Sequence, residues 1–322
     1  GEEIPMYQIG VDIGGTNIKI GLVDDSLEIL EQASIPFPHE GAQTVADRLA
    51  EAVRGVLSAA GITEAQLQSI GVVIPGSIDP TGEVVINAYN LGFHDVPFKK
   101  LIAAHFPNTP VFMANDANGA ALAELYKGAF VGCRTAVLLT LGTGLGGGII
   151  LNGKMFNGGM NQGTELGHAY LVDGGEHCTC GNNGCMEAYC AASALAREGA
   201  RAMQRDPRGL LSERSGGNAA LIDAKMVVDC AKAGDVTAKR VFDEYIGHLS
   251  SACASFFNIL DPEVIAIGGG LCGAGEFLFA PLRERITEKC FYKSHGAVVP
   301  AVMGNDAGII GAAMLRRDTE LR

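Results

Sequence analysis

Short apolar runs broken by glycine set the pattern of the chain from its start. Tyr7-Gln-Ile-Gly-Val-Asp12 reads as a strand, Ile13-Gly-Gly-Thr16 as a tight turn, and Asn17 to Val23 as a second strand. Asp24-Asp-Ser26 turns the chain into a third strand near Glu28 to Ile35. The period then lengthens. Val45, Leu49, Val53, Val56 and Ala60 share one helical face, which predicts a helix from about Thr44 that Gly61 stops. Ser69 to Ile74 is apolar enough for a buried strand and ends at Pro75-Gly76. Asp79-Pro-Thr-Gly82 signals a turn into a short strand near Val84, and Asp95 before Pro97 reads as a helix start with proline in its first turn.

The scheme then repeats. Val111-Phe-Met-Ala114 is an apolar strand that ends in Asn115-Asp116. Thr135 to Leu141 is another, followed by Gly142-Thr-Gly-Leu-Gly-Gly-Gly148 and a strand turned at Asn152-Gly153. Ala188 to Ala202 and Ala224 to Ala233 read as helices, and Val236 to Leu260 as one long helix striped by Val241, Tyr245, Leu249, Cys253, Phe256 and Leu260. Glu263 to Ile267 is a strand that empties into Gly268-Gly-Gly270, and Ala307 to Arg316 is a closing helix. No low-complexity linker divides the chain. The expected boundary lies near Asn115 to Asn118, giving a smaller lobe over 1–117, to which 307–322 returns, and a larger one over 118–306.

Composition narrows the class. With 322 residues, 48% hydrophobic and 19% charged, the chain is globular rather than disordered. A net charge of −12 speaks against a nucleic-acid partner, which needs a concentrated basic face. No apolar run approaches the ~20 residues of a membrane span. No signal peptide is evident, and Gly1-Glu-Glu-Ile-Pro5 reads as a processing remnant. Nine cysteines, three of them in one short motif, fit a reduced cytoplasmic protein.

The candidate chemistry sits in the glycine clusters and that cysteine motif. Gly14-Gly15-Thr16 can present backbone N–H groups and a hydroxyl to phosphate, although an ordinary hairpin uses the same residues. Asp12, at the end of the first strand, suits a hydrated Mg²⁺. Asn115-Asp116 follows a buried strand, where catalytic groups sit in α/β folds, and also has the composition of a helix cap. Glu165-Leu-Gly-His168 runs on to Cys178-Thr-Cys180-Gly-Asn-Asn-Gly-Cys185-Met-Glu187. Three thiols and an imidazole make a closed, structural Zn²⁺ set, against the alternative of buried small hydrophobes. His177 rivals His168 as the fourth ligand. His168 is preferred, because adjacent side chains rarely reach one ion.

The Glu-x-Gly-His and Cys-x-Cys-Gly-x-x-Gly-Cys-x-Glu motifs resemble the zinc motif of the ROK family (repressors, open reading frames, kinases). Asp12-Ile-Gly-Gly-Thr-Asn-Ile-Lys19 is similar to the phosphate motif of that family's sugar kinases. The resemblance implies the actin, hexokinase and heat-shock-70 ATPase fold, an α/β fold built on a duplicated ribonuclease H-like unit with two lobes around a cleft. It makes Asp12, Gly14, Gly15, Thr16, Lys19, Gly142, Thr143 and Gly144 phosphate-binding, and puts Gly268, Gly269 and Gly270 beside the nucleoside. Asp116 becomes the general base. Gly76, Asn90, Asn115, Asp116, Glu165, His168 and Glu187 become sugar-binding, and His168, Cys178, Cys180 and Cys185 the zinc ligands.

The implied activity is an ATP-dependent hexokinase, foremost a glucokinase, working with Mg²⁺ and ATP as a homodimer or homotetramer. N-acetylmannosamine, fructose or allose are rival substrates, distinguished around Ser77 and Tyr89-Asn90. Two other classes stand further off. A sugar-sensing repressor would need a helix-turn-helix module before the first strand, and a broader actin-like ATPase would leave the zinc motif without a purpose.

Overall fold

The computed structural model describes residues 5–320. Residues 1–4 of the suggested remnant, and the last two positions of the 307–322 segment, lie outside the described residues. In chain order β1 (Tyr7–Ile13), β2 (Asn17–Val23) and β3 (Ile29–Pro36) form an antiparallel meander, where the alternation put them. β4 (Leu67–Ile74) runs parallel to β1. A small antiparallel sheet follows, made of β5 (Ser77–Ile78), β6 (Val85–Ala88) and β7 (Phe93–Val96), of which only β6 was expected. β8 (Val111–Asn115) then pairs parallel with β4, giving the order β3-β2-β1-β4-β8.

The central strands are apolar on both faces because both are covered. Ile9, Val11 and Ile13 pack in one core with Val45, Leu49 and Val53 of helix Ala42–Ala60. At its centre the other face has a row without side chains. Gly21, Gly10 and Gly71 stand abreast across β2, β1 and β4. A Cβ on Gly10 would fall 2.0 Å from Ile309 O, and one on Gly71 1.7 Å from Ala312 O. Helix Ala307–Ala313 therefore rests backbone to backbone on this row. It meets helix Asp116–Lys127 as closely, since a Cβ on Gly311 would lie 1.9 Å from Gly119 O.

The chain forms two compact units. The first holds the chain up to Arg134, Gly148–Thr164 and the chain from Val302 onward, and the second holds Thr135–Gly147 and Glu165–Ala301. The division falls at Arg134 rather than at 117, because the contact of Gly119 with Gly311 keeps helix Asp116–Lys127 in the first unit.

β9 (Ala136–Leu141) opens the second sheet, and β10 (Leu145–Leu151) carries the chain from the second unit into the first. The Asn152-Gly153 turn, with φ of 56° and 76°, joins it to β11 (Lys154–Phe156). β12 (Val264–Gly268) runs parallel to both β9 and β13 (Ala297–Pro300). The order β11-β10-β9-β12-β13 repeats that of the first sheet strand for strand, which is the duplication expected of the actin-like fold. Helix Val236–Leu260 has its predicted bounds and buries Val241, Tyr245, Leu249, Cys253 and Phe256.

Four readings change. The helix expected over 188–202 is two, Glu187–Cys190 and Ala192–Arg205, because Ala191 takes an extended backbone with ψ 155°. Asp95 is no helix start: it lies within β7 at φ 48°, and the helix begins at Phe98. The closing helix is interrupted at Met314 and resumes over Leu315–Glu320. Helix Glu276–Lys289 and β13 were not expected. Pro281 inside that helix hides it from a helix reading. Among the described residues no helix is long and apolar enough to cross a membrane.

Candidate functional site

In the first unit, β1 delivers Asp12 and the following turn delivers Gly14, Gly15 and Thr16. Gly14 N–H donates to Asn17 O at 2.8 Å, which closes the hairpin and leaves Thr16 exposed. Lys19 stands opposite Asp12 in register. Burial pushes the Asp12 carboxyl above its usual range, and the Lys19 cation opposes that shift. The carboxylate lies against Gly308, where a Cβ would come within 2.2 Å of Oδ2. Asn90, exposed on the turn Tyr89–Leu91, has its Cβ 3.5 Å from the point where a Cβ on Gly15 would stand.

Asn115 and Asp116 mark the junction of β8 with helix Asp116–Lys127. Asn115 is the cap, its Oδ1 accepting the Ala117 N–H at 2.9 Å. Its Nδ2 donates to Gly76 O at 2.8 Å, so one amide joins two of the expected sugar-side positions. Asp116 follows as the first helical residue, exposed, with Oδ1 also accepting the Ala117 N–H at 2.8 Å. Asn115 is thus the cap residue, and the exposed Asp116 carboxylate follows it as the next residue.

In the second unit, His168, Cys178, Cys180 and Cys185 bring their donor atoms within 4.8 Å of one another. His177 lies apart, with Nδ1 3.1 Å from Asn183 Oδ1. Cys180 and Cys185 sulfurs are 3.6 Å apart, and Cys178 Sγ is 3.7 Å from His168 Nδ1. Tetrahedral Zn–S and Zn–N bonds of ~2.3 and ~2.0 Å require edges of about 3.5–3.8 Å, so the donor set fits the ion. Burial raises the Cys178 thiol and pushes Cys185 up to about 12, while the Asn182 backbone N–H lowers Cys180. A cation in their midst supplies the charge that thiolates need. His168 turns Nδ1 to the sulfurs, which leaves Nε2 for another partner. Glu165 is exposed at the start of the short turn Leu166–His168. Glu187 opens the helix after Cys185, and its Oε2 accepts the Leu145 N–H at 2.9 Å.

Beside this cluster in the same unit lies a cavity of about 520 Å³. Gly142 and Thr143 line it together with Gly270, so the second and third glycine clusters meet at one cavity. Gly268 and Gly269 lead into it from β12. Its other walls were not foreseen: Ser193, Asp223, Lys225, Val228, Asp229 and Lys232. Asp223 reads in sequence only as a helix cap, which it is, accepting the Met226 N–H at 2.7 Å. Lys225 and Asp229 read as an ordinary surface pair four residues apart and do bond at 2.5 Å.

Known proteins match this chain along nearly its whole length. A glucokinase of Halalkalibacterium halodurans is 35% identical over 321 residues, covering 98% of this chain and 96% of that protein. A glucokinase of Thermotoga maritima is 36% identical over 314 residues, covering 96% and 97%. Among solved structures, a ROK family glucokinase from Streptomyces griseus, in complex with glucose and AMPPNP, matches with a TM-score of 0.77 and 31% identity, covering 97% of this chain and 99% of that one. The pattern of the ROK family itself matches residues 8–319. Zinc-type donor set, duplicated fold and full-length match agree, and the chain belongs to the ROK family.

Proposed function

We propose that the protein transfers the γ-phosphoryl group of ATP to a hydroxyl of glucose, making glucose 6-phosphate. The observation that carries this reading is Asp116: an exposed carboxylate at a strand end, beside an amide that already caps the helix. The hydroxyl oxygen attacks the γ-phosphorus, the bond to the β–γ bridging oxygen breaks, ADP leaves, and the hydroxyl proton passes to Asp116. Asn115, Asn90 and Gly76 of the first unit, and Glu165, His168 Nε2 and Glu187 of the second, serve the other sugar hydroxyls, which each donate and accept. Gly14, Gly15, Thr16 and Lys19, with Gly142, Thr143 and Gly144, serve the phosphates, and Gly268 to Gly270 the nucleoside.

Mg²⁺ bound with ATP supplies neutralising charge, and Asp12 is the carboxylate suited to hold it through water. Zn²⁺ held by His168, Cys178, Cys180 and Cys185 fixes the direction of His168 and Glu187 and takes no part in the transfer. We place the activity in the cytoplasm, at the entry to glucose breakdown, in a homodimer or homotetramer. The nine free cysteines fit a reduced compartment.

A panel of glucose, N-acetylmannosamine, fructose and allose with ATP, read as ADP release, tests the reading. Glucose should give the highest kcat/KM. A higher value for another sugar would reassign the substrate, and no sugar-dependent ADP release would end the kinase reading.

A further inference from the structure

The segment leaving the thiol–imidazole cluster grips the Gly142–Gly144 turn. Glu187, two residues after Cys185, accepts the Leu145 N–H on Oε2 at 2.9 Å. The carboxylate packs directly on the turn, since a Cβ on Gly144 would come within 2.5 Å of it. Ser193 adds two bonds, its Oγ donating to Thr143 O at 2.6 Å and its N–H to Gly142 O at 3.3 Å. From its other side Glu187 is held by the cysteine loop. Thr179 Oγ1, between Cys178 and Cys180, donates to Glu187 Oε1 at 3.1 Å. A carboxylate has about four acceptor positions, so these bonds leave room for a sugar hydroxyl.

We infer that Thr179 is a positioning residue for nucleotide binding: through Glu187 it fixes the turn whose backbone N–H groups receive the ATP phosphates. The cysteine loop, proposed above to direct His168 and Glu187 toward the sugar, then governs affinity for the nucleotide too. Removing the Thr179 hydroxyl leaves Oε1 with Cys178 Sγ, 3.6 Å away, as its contact in the loop, which loosens Glu187 and with it Leu145 and the turn ahead of it. The inference rests on ATP being the phosphoryl donor at that turn.

The test is the affinity of the metal-loaded protein for Mg²⁺–AMPPNP without sugar, by calorimetry, for the parent, Thr179→Val and Thr179→Ser. Valine keeps the shape and loses the donor, while serine keeps the donor. Losing a hydrogen bond to a charged but partly exposed group should weaken binding roughly three- to tenfold in Thr179→Val, with serine restoring it. Metal content and melting temperature are read alongside. Parental AMPPNP affinity in Thr179→Val would overturn the inference, even with a lowered melting temperature, because a merely structural role predicts that pattern. If Thr179→Val loses its metal or its fold, Ser193→Ala replaces it. That change removes the Oγ bond to Thr143 O, keeps the backbone bond to Gly142 O and leaves the loop untouched, and unchanged AMPPNP affinity there also overturns the inference. Failure of the parent itself to bind AMPPNP would instead refute the kinase reading.

Discussion

Asp116→Asn separates catalysis from helix capping at the β8 junction. Asn115 caps helix Asp116–Lys127 through Oδ1, and an asparagine at 116 keeps an oxygen able to accept from Ala117 N–H. What the fold loses is one negative charge at the helix N-terminus, worth about 0.3–1 kcal/mol. In a protein of this size that lowers the melting temperature by about 0.4–1.5 °C. The reaction loses its proton acceptor, which typically costs about 10²–10⁴ in kcat. At ~1.4 kcal/mol per decade that is roughly 3–5 kcal/mol of barrier, several times the change in stability. ADP release at saturating glucose and ATP reads the first effect, and calorimetric melting the second. A near-parental kcat would refute the base assignment and leave Asp116 as a bystander at a helix start. A melting temperature lowered by far more than the charge accounts for would mean that Asp116 holds the fold, and the kcat loss would then say nothing of proton transfer.

Four further outcomes are expected. Freshly purified protein should carry one Zn²⁺ per chain, and Cys180→Ser should lower both zinc content and melting temperature; zinc-free parent protein in elemental analysis would refute this. Because burial raises Cys178 and Cys185, metal uptake must expel thiol protons, so zinc affinity should fall on acidification. Gly308→Ala drives a methyl into the Asp12 carboxylate, and loss of ATP use with the sheet intact by circular dichroism is expected; unchanged activity would show that Asp12 can move aside. Burial raises the Asp12 pKa on folding, so its contribution to stability is full below its ordinary value of 3.8 and is lost as pH rises through the raised one. Ionised Asp12 is therefore a strain on the nucleotide-free fold at neutral pH. Asp12→Asn should melt higher there, with the gain vanishing in acid; equal melting at neutral pH would contradict the sign.

Periodicity made much of the fold legible. β2 and helix Val236–Leu260 have the bounds their apolar spacing predicts, because each buries one regular face. The glycine turns were legible as turns. That Gly10, Gly21 and Gly71 form one bed for a helix was not, since the register of three strands has to be known first. Four residues of the cysteine motif could be grouped from spacing, because the ligands lie close along the chain. The bond from Glu187 to Leu145 spans 42 positions and leaves no local mark. The same holds for the far wall of the cavity, where Asp223, Lys225 and Asp229 satisfy ordinary capping and surface-pair patterns. Ala191, whose extended backbone splits a helix, has no breaker in its own side chain.

The glycine bed sets an order of events during synthesis. β1 leaves the ribosome well ahead of the helix that covers it, Ala307–Ala313, which follows about 300 positions later. At the usual pace of about 5–20 residues per second, β1 and β4 wait roughly 15–60 s with that face open to solvent and to other chains. The second unit, drawn from Thr135–Gly147 and Glu165–Ala301, is fully translated before its cover arrives. Of the two units, the one begun first is therefore completed last, and a chaperone that shields nascent strands has its natural client in Tyr7–Ile74 rather than in the longer stretch that follows.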